Sequence, residues 1–177
     1  VMENKVAWHA GKSKWKKYNN LNSNSIGIEL VNKGHQWGYQ NFSNIQIKTL
    51  INLCLNLKKK YKIKNENFLG HSDIAPLRKL DPGEKFPWKK LSKFGIGTWY
   101  KEKIDNVKIQ KSKRSYLFFN NLNKIGYRYF SLKKRTRKDK MIIKAFQRRY
   151  NSHKVNGLID QKTLNISQFL ANQQNLS

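Results

Sequence analysis

Four side chains in this sequence have types and spacing that suit hydrolytic chemistry. His71, Lys79 and Asp81 fall within G-H-S-D-I-A-P-L-R-K-L-D-P-G, from Gly70 to Gly83, and Glu29 stands upstream in S-I-G-I-E-L. A neutral imidazole and a carboxylate are ligands that Zn²⁺ accepts, and a nearby ammonium suits an oxyanion forming beside a metal. Pro82 biases Asp81 toward extended backbone, where residues two apart point the same way, so Lys79 and Asp81 are expected to face one site. A desolvated carboxylate such as Glu29 on a strand suits a general base. Residue types alone favour a plainer account. A loop with one His, two Asp and a Lys is more often a solvated loop with a salt bridge, and a strand Glu more often faces water.

The elements that must position these groups follow from local patterns. Ser25 to Val31 alternates, with Ile26, Ile28 and Leu30 on one face, which predicts a half-buried strand. On its other face Gly27 is expected to leave open space beside Glu29 for a ligand. Ser43 with Gln46 predicts a capping box that opens a helix. Ile47, Leu50, Ile51, Cys54, Leu57 and Tyr61 then recur at helical spacing, and Lys58, Lys59 and Lys60 suit its negative end. This helix is expected to pack on the sheet carrying Glu29, with Phe68-Leu69 a strand that delivers His71. Cys54, the single cysteine, reads as a buried thiol and rules out an internal disulfide. Residues 12–24 and 32–42 read as loops; Trp37 and Tyr39 in the second suit stacking on sugar rings or plain surface packing.

Length and charge set outer limits. The 177 residues hold one domain plus a small module, and no run approaches the roughly 20 apolar residues of a membrane-spanning helix. A formal net charge of +27, from 37 Lys+Arg against 10 Asp+Glu, suits the acidic cell envelope, including an anionic membrane surface. The lysines are scattered instead of forming one stripe. Even the basic run Lys133 to Lys140 lacks interleaved aromatics or a recognisable motif, so no specific nucleic-acid partner is expected. Composition shifts at Lys101 to Arg114, read as a linker. Beyond it three short helices are expected: about Ser115 to Ile125, stopping at Gly126; a second opening at Thr136 with Ile142, Ala145 and Phe146 inward; and a third N-capped by Asp160, burying Ile166, Phe169 and Leu170.

The Gly70–Gly83 stretch resembles the second metal-ligand loop of the zinc-dependent N-acetylmuramoyl-L-alanine amidases of the amidase-2 family, which share a fold with peptidoglycan-recognition proteins. The resemblance extends to W-H-A-G at Trp8 to Gly11, to S-I-G-I-E-L, to F-P-W at Phe86 to Trp88, and to G-I-G-T-W at Gly95 to Trp99, the last most similar to AmiD-type envelope enzymes. A-F-Q-R-R-Y followed by N-G-L-I-D-x-x-T-L resembles a three-helix peptidoglycan-binding module. The implied fold is α/β: a mixed central β-sheet flanked by helices over 1–100, an amidase-2 catalytic domain lacking its N-terminal part. A linker over 101–114 and an all-α three-helix domain over 115–177 complete it.

The resemblance also implies roles. His71 and Asp81 would hold Zn²⁺ with a histidine upstream of W-H-A-G; only eight residues precede His9, so a fragment truncated before that ligand is expected, with His9 and His35 as candidate replacements. Glu29 would be the catalytic base, Lys79 the oxyanion partner, and Arg78 the grip on a stem-peptide carboxylate. His9 and Ala10 would line the substrate groove. Many members carry an arginine nine positions before the glutamate, where this chain has Asn20. The implied function is hydrolysis of the amide between N-acetylmuramic acid and L-alanine in peptidoglycan or muropeptides, in the cell envelope or periplasm. With two of three ligands, weak zinc binding and slow or absent hydrolysis are expected. The alternative is a non-catalytic peptidoglycan-binding protein.

Overall fold

The computed structural model describes residues 1–104, 106 and 109–174. Among the described residues its mixed α/β character takes the form of six α-helices and one two-stranded sheet. The strands, β1 (Lys14–Trp15) and β2 (Tyr18–Asn19), form an antiparallel hairpin with Lys14 opposite Asn19. The helices are α1 (Asn44–Tyr61), α2 (His71–Ile74), α3 (Trp88–Ser92), α4 (Lys111–Ile125), α5 (Asp139–Tyr150) and α6 (Gln161–Gln173).

Local chemistry sets the helix boundaries. The Ser43 hydroxyl accepts from the Gln46 N–H and the Gln46 side chain accepts from the Ser43 N–H, the reciprocal box that satisfies two otherwise orphaned donors. α4 ends at Gly126, whose φ of 136° lies outside the range that L side chains favour. It begins at Lys111, four residues before the expected start. α5 begins at Asp139, not Thr136: the Asp139 carboxylate accepts from the Thr136 N–H at 3.1 Å, closing a turn before the helix. Asp160 caps α6 by accepting from the Thr163 N–H at 2.8 Å.

Three sequence expectations are corrected. Ser25 to Val31 has no ladder partner among the described residues, and Ile26, Ile28 and Val31 are exposed. A strand needs a neighbour for its N–H and C=O groups, and among the described residues no backbone–backbone hydrogen bond reaches residues 25–31. Phe68-Leu69 likewise has no ladder partner among the described residues; a short 3₁₀ turn at Asn65–Asn67 precedes it, and His71 opens a helical turn. With no wide sheet to cover, α1 buries Ile47, Leu50, Ile51, Cys54 and Leu57 against Phe86, Trp88, Leu91 and Ile96, with Leu30 only at the margin.

A second apolar core joins the two halves of the chain. Ala10, Trp15, Leu21, Ile74 and Ala75 pack into the same cluster as Phe118, Phe119, Tyr127, Phe146, Leu164 and Leu170, and Trp99 touches both clusters. The helices of the C-terminal half therefore back directly onto the turn that carries His71.

Candidate functional site

The site is built from two loops that meet. The first is the turn Trp8 to Gly11. Asn22, itself buried, accepts from the N–H groups of Ala10 at 2.7 Å and Gly11 at 3.1 Å, and the Ser13 hydroxyl links the Gly11 carbonyl to the Leu21 N–H. These bonds aim the Ala10 carbonyl at the second loop. The second runs from Gly70 to Gly83, closed on itself by the Ser72 N–H donating to the Asp81 carbonyl at 2.9 Å.

His71 sits where the loops touch. Its Nδ1 lies 3.0 Å from Asp81 Oδ2 and its Nε2 lies 3.2 Å from the Ala10 carbonyl oxygen. Burial alone would raise the Asp81 carboxyl, but the His71 hydrogen bond and charge, its own backbone and Lys79 outweigh it, and the carboxyl lies below its ordinary value. Lys79 adds its charge to that lowering.

Arg78 ties the two loops together. Its Nε donates to the Lys12 carbonyl at 3.1 Å and its Nη2 donates to the Ala10 carbonyl, with His71 Nε2 3.4 Å away. A Cβ at Gly11, where φ is +55°, would stand 2.9 Å from Nη2, so glycine there admits the guanidinium. Arg78 is a clamp between the two loops, with Nη1 the terminal nitrogen not used in that clamp.

Glu29 is not drawn into this cluster. It is exposed, and no hydrogen bond or ion pair among the described residues ties it to His71, Lys79 or Asp81. The space expected beside it at Gly27 is filled: a Cβ there would meet the His9 ring at 2.6 Å. His9 is fixed in that place by contacts of Nδ1 with the Ala7 carbonyl and Nε2 with the Ser25 hydroxyl, at 2.9 and 2.8 Å.

His35 is equally apart from His71, with Nε2 3.0 Å from Glu84. Its ring stacks on Tyr39, whose hydroxyl donates to the Pro82 carbonyl at 2.6 Å and so pins the 32–42 loop onto the turn after Asp81. Burial, with Glu84 nearby, pushes the Tyr39 phenol up to about 12. Trp37 is exposed.

A zinc centre with three protein ligands needs one donor more than these residues bring together. No group of three His, Cys, Asp or Glu among the described residues is placed to hold a metal ion. Neither His9 nor His35 joins His71 and Asp81, and both already face other partners. The described residues do not complete the centre that the motifs imply.

One group went unnoticed in the sequence. Asp73, two residues beyond His71, is buried and accepts from the Gly70 N–H, the Tyr127 hydroxyl and Arg149 Nη1. Arg149 Nη2 also donates to the Phe68 carbonyl at 3.0 Å, and its guanidinium lies 3.8 Å from the Trp88 ring centroid. The only hint in the sequence was an acidic residue inside a motif beside a ligand candidate.

Comparison with known proteins agrees with the motifs. The family model described as N-acetylmuramoyl-L-alanine amidase matches residues 1–84. N-acetylmuramoyl-L-alanine amidase AmiD of Escherichia coli (strain K12) is 36% identical over 179 residues, covering 96% of this chain and 65% of AmiD. The solved complex of E. coli AmiD with anhydro-N-acetylmuramic acid-L-Ala-D-gamma-Glu-L-Lys has a TM-score of 0.83 at 34% identity, over 98% of this chain and 71% of that one. AmpDH3 from Pseudomonas aeruginosa gives 0.82 at 31% identity, over 98% and 71%. The chain spans just under two thirds of AmiD's length, 65%. Similarity that runs from W-H-A-G through the last helix, in sequence and in fold, places the chain in the amidase-2 family of N-acetylmuramoyl-L-alanine amidases.

Proposed function

We propose that this protein hydrolyses the amide bond between N-acetylmuramic acid and L-alanine in peptidoglycan or muropeptides, in the cell envelope. The observation that carries the reading is the meeting of His71, Asp81, Arg78 and the Ala10 carbonyl at one point, where the two most specific family motifs touch. Around that point the chain's own groups have evident work. Arg78, clamped through Nε and Nη2, keeps Nη1 to meet a stem-peptide carboxylate. Lys79 supplies positive charge beside Asp81, suited to a carbonyl oxygen that gains negative charge in the transition state. Glu29 stands outside that point in this structure, and its assignment as the carboxylate that takes a proton from the attacking water rests on the motif it occupies.

The second reading, a peptidoglycan-binding protein that does not cut, is favoured by the lack, among the described residues, of a third metal donor beside His71 and Asp81. The two are separated by incubating the full chain, with and without added Zn²⁺, with a muramoyl-tripeptide, beside Glu29→Ala and a pull-down on purified peptidoglycan. Release of free tripeptide that Glu29→Ala abolishes supports the amidase. Retention on peptidoglycan with no release in any sample supports the binder. Metal content adds a further check: after dialysis against dilute chelator, zinc well below one per chain is expected, and a ratio near one would reveal a third donor.

A further inference from the structure

Residues 68–73, which carry His71, are held from behind by the C-terminal half of the chain. Arg149 on α5 bridges two points of that segment, giving Nη1 to Asp73 and Nη2 to the Phe68 carbonyl. The Tyr127 hydroxyl, just past the end of α4, takes the other oxygen of Asp73. Asp73 in turn accepts from the Gly70 N–H at 2.8 Å, which fixes the first turn of α2, where His71 stands. The three side chains are almost wholly buried: the Arg149 and Asp73 side chains are 3% and 1% exposed, and Tyr127 is 0% exposed.

Such a network is costly to bury, and an apolar cluster would hold two helices together as well or better. What it adds is direction. A guanidinium fork that spans a carboxylate and a carbonyl defines both the distance and the angle between them, which apolar packing does not. The surrounding contacts leave the fork little freedom, since Arg149 lies on the Trp88 ring and a Cβ at Gly97 would stand 2.9 Å from its Nη2.

We infer that Arg149 and Tyr127 are positioning residues for the His71–Asp81 pair, and that the C-terminal helices belong to the machinery of the site. The importance of that pair rests on the amidase reading; the positioning itself does not. The consequence is mechanical: His71 reaches Asp81 Oδ2 and the Ala10 carbonyl together only while Asp73 holds α2 at its present angle.

The test is the ¹⁵N spectrum of the histidine rings in the full chain at one fixed pH, for the parent protein, Tyr127→Phe and Arg149→Lys. Tyr127→Phe removes one hydroxyl and keeps the ring that packs edge-on to Trp15, so the fold is retained. Arg149→Lys keeps the charge but has one ammonium where two nitrogens were needed. In both variants the His71 ring nitrogens are expected to shift toward the averaged values of a free imidazole, while exposed His153 stays as it was. His71 resonances unchanged in Tyr127→Phe, with far-UV dichroism also unchanged, would overturn the inference. Should Arg149→Lys unfold, Tyr127→Phe alone decides. The spectra read positioning whether or not the parent chain hydrolyses a muropeptide, so the two readings fail separately.

Discussion

From Lys111 to Gln173 most of the large apolar side chains are shut away, with Phe118, Leu122, Ile142, Phe146 and Leu164 each at 0% exposure, against a few such as Tyr116 and Leu158 that face outward. From Val1 to Val31 the balance is reversed: Met2, Trp8, Ile26 and Val31 face outward, and the only ladder is the hairpin at Lys14–Asn19. The candidate site straddles the two regimes. His71 and Asp81 rest on the helical side through Asp73, whereas Glu29 stands on the exposed side. An aromatic residue is therefore worth very different amounts in the two regions, and substitutions measure that difference.

The largest effect is expected at Phe146, which touches the rings of Phe118, Tyr127 and Tyr150. Phe146→Ala leaves a cavity in the shared core and should cost about 3–5 kcal/mol, lowering Tm by roughly 10 °C. Because that core includes Ala10, Trp15 and Ile74, calorimetry should show one transition at the lower temperature. Two separated transitions would mean that the halves melt independently and that the contrast between them is a division into units.

Asn22→Ala comes next, at about 1–3 kcal/mol, because it strands the N–H groups of Ala10 and Gly11. Its mark should be local: amide exchange at Ala10 and Gly11 speeds up while α5 amides, scored as a control, slow or hasten only with global stability. Equal acceleration throughout would show that the turn is not separately held.

Alkali should act on the same margin of the site. The Tyr39 phenol is raised from about 10 to about 12, so its contribution to stability is fully present below pH 10 and is lost as pH rises through 12. Half-buried by the turn it holds, Tyr39 is worth on the order of 1–2 kcal/mol across that window. A pH titration of stability should fall over pH 10–12, and Tyr39→Phe should flatten that share of the fall. An identical slope in the variant would detach the 32–42 loop from the stability of the site.

These regimes also explain what the sequence revealed. Short-range chemistry was legible: the Ser43–Gln46 box, the Asp160 cap, the inward face of α5 and the buried Cys54 all follow from residues within a few positions of one another. His71 and Asp81 were legible as a pair because the motif places both in one loop. Arg149 and Asp73 are 76 positions apart and Tyr127 and Asp73 are 54 apart, and such distances leave no periodic trace. Arg78 and His9 stood out as motif residues, whereas what they touch did not. The alternation at Ser25 to Val31 predicted a strand because it reports a preference for a pleated surface, while a strand also requires a partner.

The smallest effect is expected where the contrast is sharpest. Trp8 is 92% exposed, so Trp8→Ala removes a large ring that the fold has not withdrawn from water. The change in stability should stay within about 0.5 kcal/mol, against several for the same kind of truncation at Phe146. Chemical denaturation of the two variants side by side makes the measurement, and an unchanged m-value in Trp8→Ala would confirm that no packed surface was lost. A loss above about 1 kcal/mol at Trp8 would instead mean that this ring is covered in solution. The exposed face from Trp8 to Val31 would then be an interface, and its order would come from whatever covers it.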